Sequence, residues 1–248
     1  MDCARIEAVI VNWLKERLAA SGSKGFVFGL SGGLDSALVA SLAVKAAPEA
    51  CLGLIMPCDS NPLDAEHAIL VAETYGLNTR VVDLSGPHRS LLFELRRGSE
   101  GQPAKLAVAN LRPRIRMASL YFFANEQNLM VLGTGNRSEW YVGYSTKYGD
   151  GGVDLQPIIG LTKSQVRQLS SHMGVPEEII LKAPTAGLWQ GQTDEAEMGF
   201  TYEQLDEYIM TGSADAAVKE RIDCMHAGSR HKFVLPPTPI DPGSGIKN

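Results

Sequence analysis

The run Gly29-Leu30-Ser31-Gly32-Gly33-Leu34-Asp35-Ser36 is the part of this 248-residue chain best equipped for chemistry. Two adjacent glycines let a backbone approach a phosphate closely, while Ser31, Ser36 and successive N–H groups supply donors. The run follows the apolar stretch Phe26–Leu30 and precedes a helical pattern, so an anion held there would also meet a helix N-terminus. It lacks the lysine of the Gly-x-x-x-x-Gly-Lys-Ser/Thr loop and does not fit Gly-x-Gly-x-x-Gly. Asp35 is the informative residue. A carboxylate beside a phosphate loop is repulsive unless a metal ion joins the two. No Ser-His-Asp or Cys-His arrangement suggests a nucleophilic side chain.

The elements that would position this run alternate. An amphipathic helix is predicted over Ala4–Ala20, from Ile6, Val9, Ile10, Trp13 and Leu18. Strands are predicted at Phe26–Leu30, Cys51–Met56, Arg80–Leu84 and Leu129–Leu132. Between them fall helices at Ser36–Ala46, from Asn61-Pro62 to Tyr75, and near Ala104–Asn125 with a boundary or kink at Pro113. Residues 134–157 read as loop. Capping boxes open helices at Thr162 (to His172) and Thr201 (to Met210), with a polar loop over 183–199 between them. A last helix covers Ala214–His226, and 236–248 reads as an extended C-terminal arm. This alternation predicts an α/β fold: a parallel, doubly wound sheet with helices on both faces, residues 1–248 forming a single domain. Such a sheet binds its ligand at the carboxyl ends of its strands, where the glycine run lies.

Composition narrows the class. With 44% hydrophobic and 21% charged residues, the chain is not a disordered one. No apolar run is long enough to span a bilayer, and no signal peptide is legible at the N-terminus. A net charge of -5 argues against nucleic acid as the main partner. Cys3, Cys51, Cys58 and Cys224 form no CxxC pair and read as reduced thiols of a cytoplasmic protein.

Ser-Gly-Gly-Leu-Asp-Ser after a first strand resembles the pyrophosphate loop of the ATP pyrophosphatases, which cleave ATP between the α- and β-phosphates to adenylate an oxygen. Further segments narrow the likeness: Gly133-Thr134-Gly135-Asn136-Arg137-Ser138-Glu139, Gly143–Asp154, Leu161–Arg167, Pro184–Trp189 and Gly191–Glu195. In this order they resemble the NAD synthetases over about residues 5–233. The length leaves no room for the amidohydrolase domain of glutamine-dependent members. The resemblance is therefore to the ammonia-dependent form, a homodimer with two sites along the subunit interface. It implies an adenine-nucleotide α-hydrolase-like, flavodoxin-like architecture and ATP-dependent amidation of deamido-NAD, with AMP and pyrophosphate released.

The resemblance also assigns residues. Gly29, Leu30, Ser31, Gly32, Gly33, Leu34, Asp35 and Ser36, with Thr134, Lys163 and Thr185, would contact ATP, Lys163 also as a catalytic residue, and Asp35 and Glu139 would hold Mg²⁺. Arg114, Lys147, Asp154, His231 and Lys232 would contact deamido-NAD, with Arg112 and Arg116 as neighbouring alternatives to Arg114. Gly187 stands where many members carry Asp, and Trp140, Tyr141, Tyr144 and Tyr148 could stack on a nicotinate ring or pack in the core. Asp150, in Tyr148-Gly149-Asp150-Gly151-Gly152, is a candidate general base toward ammonium; a turn aspartate is the plainer reading. Two other readings stay open: an adenylating enzyme that modifies tRNA, and a nucleotide-binding module without catalysis.

Overall fold

The computed structural model describes residues 1–185 and 193–237. Its helices, in chain order, are α1 (Cys3–Ser21), α2 (Leu34–Ala46), α3 (Pro62–Tyr75), α4 (Ser85–Arg96), α5 (Lys105–Ala109) and α6 (Leu111–Gln127). They continue with α7 (Arg137–Val142), α8 (Lys163–His172), α9 (Glu177–Ile180), α10 (Asp194–Met198), α11 (Tyr202–Thr211) and α12 (Ala216–Ser229). Strands β1 (Gly25–Gly29), β2 (Cys51–Ile55), β3 (Asn78–Val81) and β4 (Leu129–Leu132) form a parallel sheet in the order β3-β2-β1-β4.

Both faces of the sheet are covered, so successive strand residues feed different cores. Phe26, Phe28, Ile55 and Leu132 join one core with α1, α2, α3, α8 and α9. Val27, Leu54 and Val131 join a second, with Leu120, Phe123 and Ala124 of α6. Helix α2 is apolar nearly all round and lies buried against the sheet, as such a helix must. A third cluster binds α7, α10, α11 and α12 to one another through Val142, Met198, Tyr202, Leu205 and Ile222. No described helix is long and apolar enough to cross a membrane.

Several boundaries differ from the sequence reading. The third strand begins at Asn78 rather than Arg80, because register with β2 pairs Leu52 with Asn78 and Ile55 with Val81. Its expected end, Val82 to Leu84, instead leads into α4, with Leu84 buried in the second core. Helix α4 had no expectation at all. It opens with Ser85-Gly86-Pro87, a loop-like triplet, although proline is harmless in a first turn. The break expected at Pro113 falls at Asn110, between α5 and α6, leaving Pro113 inside the first turn of α6. The loops expected over 134–157 and 183–199 contain α7 and α10, of six and five residues. From residue 238 onward the expected arm lies outside the described residues, as does Gly187.

Candidate active site

The strand order reverses between β1 and β4, and the loops after these adjacent strands open side by side at the carboxyl end of the sheet. A cavity of about 850 Å³ lies there. Its walls include the loop after β1, Thr134, Glu139, Lys163, Asp150 and Lys232.

The glycine run is folded by its own serines. Ser31 Oγ and Ser36 Oγ are 3.0 Å apart; Ser36 Oγ accepts the Ser31 N–H and its hydroxyl donates to the Gly33 carbonyl at 2.9 Å. Gly32 has φ +71°, and a Cβ there would stand 2.2 Å from the Asp64 carbonyl, so only glycine fits without movement. Gly33 precedes α2 and offers no side-chain cap, whereas α7, α8 and α11 all begin with reciprocal capping boxes. The start of α2 thus keeps its first-turn donors facing the cavity, which suits an anion.

Beside it lies a buried charge cluster. Lys163, the first residue of α8, is 3% exposed. Its Nζ pairs with Asp35 Oδ2 and lies 3.6 Å from Glu139 Oε1. Asn136 Nδ2 donates to Asp35 Oδ1 at 2.8 Å, and Asn136 Oδ1 accepts the Glu139 N–H at 3.0 Å. The Tyr202 hydroxyl bonds Asp194 Oδ2 at 3.0 Å, 3.5 Å from Glu139 Oε1, with its ring under the Lys163 ammonium. Burial, and then the charge of Asp35, push the Glu139 carboxyl up to about 8. Burial works against the Lys163 charge, but Asp35 and Glu139 outweigh it and raise the ammonium above its ordinary value. Burial likewise lifts the Tyr202 phenol far above its ordinary value and keeps it a donor.

Asp35 and Asp194 beside one lysine leave negative charge in excess, to which Glu139 would add once a cation favoured its ionised form. That excess fits a divalent cation. Asp35 and Glu139, with phosphate oxygens of a bound nucleotide, would be a donor set suited to Mg²⁺. Among the described residues no group of three or more His, Cys, Asp or Glu side chains makes a protein-only metal site.

On another wall, Asp150 opens on the cavity at the tip of the Gly-rich loop. Its Oδ1 accepts the Thr146 N–H at 2.8 Å, which is the turn role. Although Asp150 is exposed as a residue, burial of its carboxyl raises its pKa, against the Thr146 bond and the charges of Lys232 and Arg116. The structure thus allows both readings of this residue. Lys232 donates to the carbonyls of Gly143 and Ser145, each at 2.7 Å. Lys147 Nζ lies 3.4 Å from His231 Nδ1.

The other expected dinucleotide contacts are more dispersed. Arg114 is exposed and donates to the Lys147 carbonyl at 3.4 Å. Arg116 lines the cavity, held by the Met56 carbonyl and Ser60 Oγ, each at 3.1 Å. Asp154 is exposed, and its carboxylate accepts from Tyr121 at 3.0 Å and the Val131 N–H at 2.8 Å. Thr185 lines the cavity. Tyr144 lines it too and bonds Glu197 at 2.8 Å, while Tyr141 stacks on His226 and Trp140 packs on Phe233. Sequence reasoning assigned no role to Asn136, Asp194, Tyr202 or Lys182. Lys182 bonds Asp64 at 2.8 Å and the Gly32 carbonyl at 3.2 Å, and so braces the glycine run.

The profile of the NAD synthase family matches residues 6–236. The chain belongs to the NAD synthase family. It is 49% identical over 231 residues to the NH(3)-dependent NAD(+) synthetase of Carboxydothermus hydrogenoformans, covering 93% of this chain and 95% of that one. Among solved structures, NMN synthetase from Francisella tularensis is similar with TM-score 0.91 and 38% identity, covering 96% of this chain and 99% of that one. NH3-dependent NAD synthetase from Campylobacter jejuni is similar with TM-score 0.79 and 28% identity, at the same coverage of 96% and 99%. The fold is thus the adenine-nucleotide α-hydrolase-like fold of NAD synthases, with the cluster above at the mouth of its sheet.

Proposed function

We infer that this chain is an ammonia-dependent NAD synthetase: it consumes ATP to amidate deamido-NAD, releasing AMP and pyrophosphate. The observation that carries this is the single cavity that joins an uncapped phosphate loop, the Asp35–Lys163–Glu139 cluster and Asp150, in a chain of the NAD synthase family. In the first half-reaction the nicotinate carboxylate attacks the α-phosphate of ATP and pyrophosphate leaves. Residues 29–36 hold the phosphates through N–H donors, and the Lys163 ammonium offsets their charge. Thr134 and Thr185 bind ATP from the cavity wall. Asp35 and Glu139 would hold Mg²⁺, whose chemistry there would be to offset the charge that spreads over the transferred group. In the second half-reaction Asp150 takes a proton from ammonium, the ammonia lone pair forms the C–N bond at the acyl carbon, AMP leaves with the C–O bonding electrons, and the surplus proton on nitrogen passes to water. Lys147, His231 and Lys232, with Arg114 and Asp154, contact deamido-NAD. The test is NAD formation from deamido-NAD, ATP, Mg²⁺ and ammonium. Glutamine in place of ammonium, in ammonia-free reagents, should give little NAD, and equal rates with the two donors would contradict direct use of ammonia.

A mononucleotide substrate is the second reading, because the similar Francisella tularensis structure is of an NMN synthetase. Comparing kcat/KM for deamido-NAD and nicotinate mononucleotide separates the two.

The active form is a homodimer. Phe93 on α4 is 69% exposed and Phe122 on α6 60%, with Leu95 and Leu106 also bare on helices that pack together. Exposed apolar side chains on neighbouring helices suit an association surface. Arg114 sits on the same α6, and Asp154 is bonded to it through Tyr121. A second subunit on this face would bring these two residues into a shared dinucleotide site. Sedimentation should show a dimer that Phe93→Asp with Phe122→Asp dissociates, with loss of activity. A fully active monomer would rule out the shared site. All four cysteines are free thiols, which suits the reducing cytoplasm.

A further inference from the structure

Asp206 takes no part in the reaction as described, yet its carboxylate is buried and fully committed. It lies on α11 and is 6% exposed. Its Oδ2 accepts the Ser164 N–H at 2.7 Å. Its Oδ1 accepts the Ser138 hydroxyl, and Ser138 Oγ in turn accepts the Lys163 N–H at 3.0 Å. Lys163 and Ser164 open α8, where a helix leaves N–H groups without internal partners. Ser138 lies in the first turn of α7, immediately before Glu139. One carboxylate therefore ties the Ser138 side chain of α7, the helix that carries Glu139, to the backbone start of α8, which carries Lys163.

Helix α8 does not need Asp206 merely to begin. The Thr162 side chain already accepts the Gln165 N–H, and Gln165 returns a bond to the Thr162 N–H. That cap holds α8 internally but fixes nothing about its place against α7. A buried carboxylate is costly unless its acceptor sites are used, and among the described residues Asp206 has no Lys, Arg or His ion-pair partner. Both of its oxygens are spent instead on the α7–α8 junction. The two side chains that depend on this junction face each other across 3.6 Å.

We propose that Asp206 is a positioning residue: through Ser138 and the first turn of α8 it sets the spacing of Lys163 from Asp35 and Glu139. The proposal rests on the adenylation reading above. Two variants cut the chain of bonds at different links. Asp206→Asn preserves shape, but its amide can serve the Ser164 N–H only by turning a donor toward Ser138, whose own hydrogen then loses its acceptor. Ser138→Ala removes the link to Lys163 and leaves the Ser164 bond in place.

The experiment measures kcat for pyrophosphate release, KM for each substrate and the melting temperature, for wild type, both single variants and the double. Each single variant should lower kcat roughly 10- to 100-fold, the range for residues that orient a site from behind it. The KM for deamido-NAD should stay unchanged. The double variant should be no slower than the slower single, because both cut one chain. Wild-type kcat alongside a lowered melting temperature would make Asp206 a stability residue only and overturn the proposal, as would losses that multiply in the double variant. Should Asp206→Asn not fold, Ser138→Ala decides alone. A wild-type protein that releases no pyrophosphate would instead overturn the adenylation reading.

Discussion

Asp35→Asn and Glu139→Gln should each slow adenylation by roughly 10²-fold or more at saturating ATP, with the fold kept. The amide of Asp35→Asn can still accept from Asn136, whose bond to Asp35 is 2.8 Å. It must then turn its NH₂ toward the Lys163 ammonium, donor against donor. The lysine loses its nearer partner and the site loses one of the two carboxylates suited to Mg²⁺. In Glu139→Gln the oxygen that completes the α7 capping box can survive, so α7 should still form. The oxygen facing Lys163 and Tyr202 becomes a donor. Both variants therefore damage the charge pattern and spare the helices. Pyrophosphate release, titrated with Mg²⁺, and far-UV circular dichroism read the two effects separately. Near-normal release at saturating Mg²⁺ would take these carboxylates out of the site.

Which parts of this were legible in the sequence follows from how local each signal is. Helix α3 was readable at both ends, because Asn61, Pro62 and Gly76 act within a turn of themselves. Strand β4 and the starts of α8 and α11 were legible for the same reason. Helix α7 was missed although Asn136 and Glu139 form a capping box, since the six residues between its glycine-rich flanks carry too little periodicity. Helix α4 was missed because it buries little more than His88, so its Leu91, Phe93 and Leu95 describe no inward stripe.

The site divides in the same way. The glycine run, Asp35, Glu139 and Lys163 were legible as types within motifs, and the structure brings them together. Their supports were not legible. Asp206 reaches Ser164 across 42 residues of sequence, and Lys182 reaches Gly32 across 150. Neither pairing leaves a trace in spacing. The choice among Arg112, Arg114 and Arg116 depends on rotation about α6, which is not legible in a helix whose first turn carries Pro113. Arg116 faces the cavity, whereas Arg114 is exposed and bonded to the Lys147 carbonyl.

Asp150→Asn should separate the two half-reactions. Ammonium has no lone pair and cannot attack, so the second step needs a group that captures the cation and takes its proton. Asp150 stands on the cavity wall, and the walls that desolvate it make its carboxylate more basic than an ordinary aspartate. Its charge is ionised only above that raised value, so amidation at fixed ammonium should climb with pH as the base ionises. The asparagine variant can still accept the Thr146 N–H, so the 2.8 Å bond that shapes the loop survives. Pyrophosphate should therefore be released from ATP and deamido-NAD at close to the wild-type rate, while NAD forms slowly, by at least about 10²-fold for the loss of a general base. Raising the pH should restore part of the amidation rate, because free ammonia then arrives without needing a base. The measurement is a single-turnover time course that follows pyrophosphate and NAD in the same reaction, at several pH values and constant total ammonium. If both products slow together, Asp150 serves the loop or the nucleotide rather than the proton. If neither slows, the turn bond to Thr146 is its whole role.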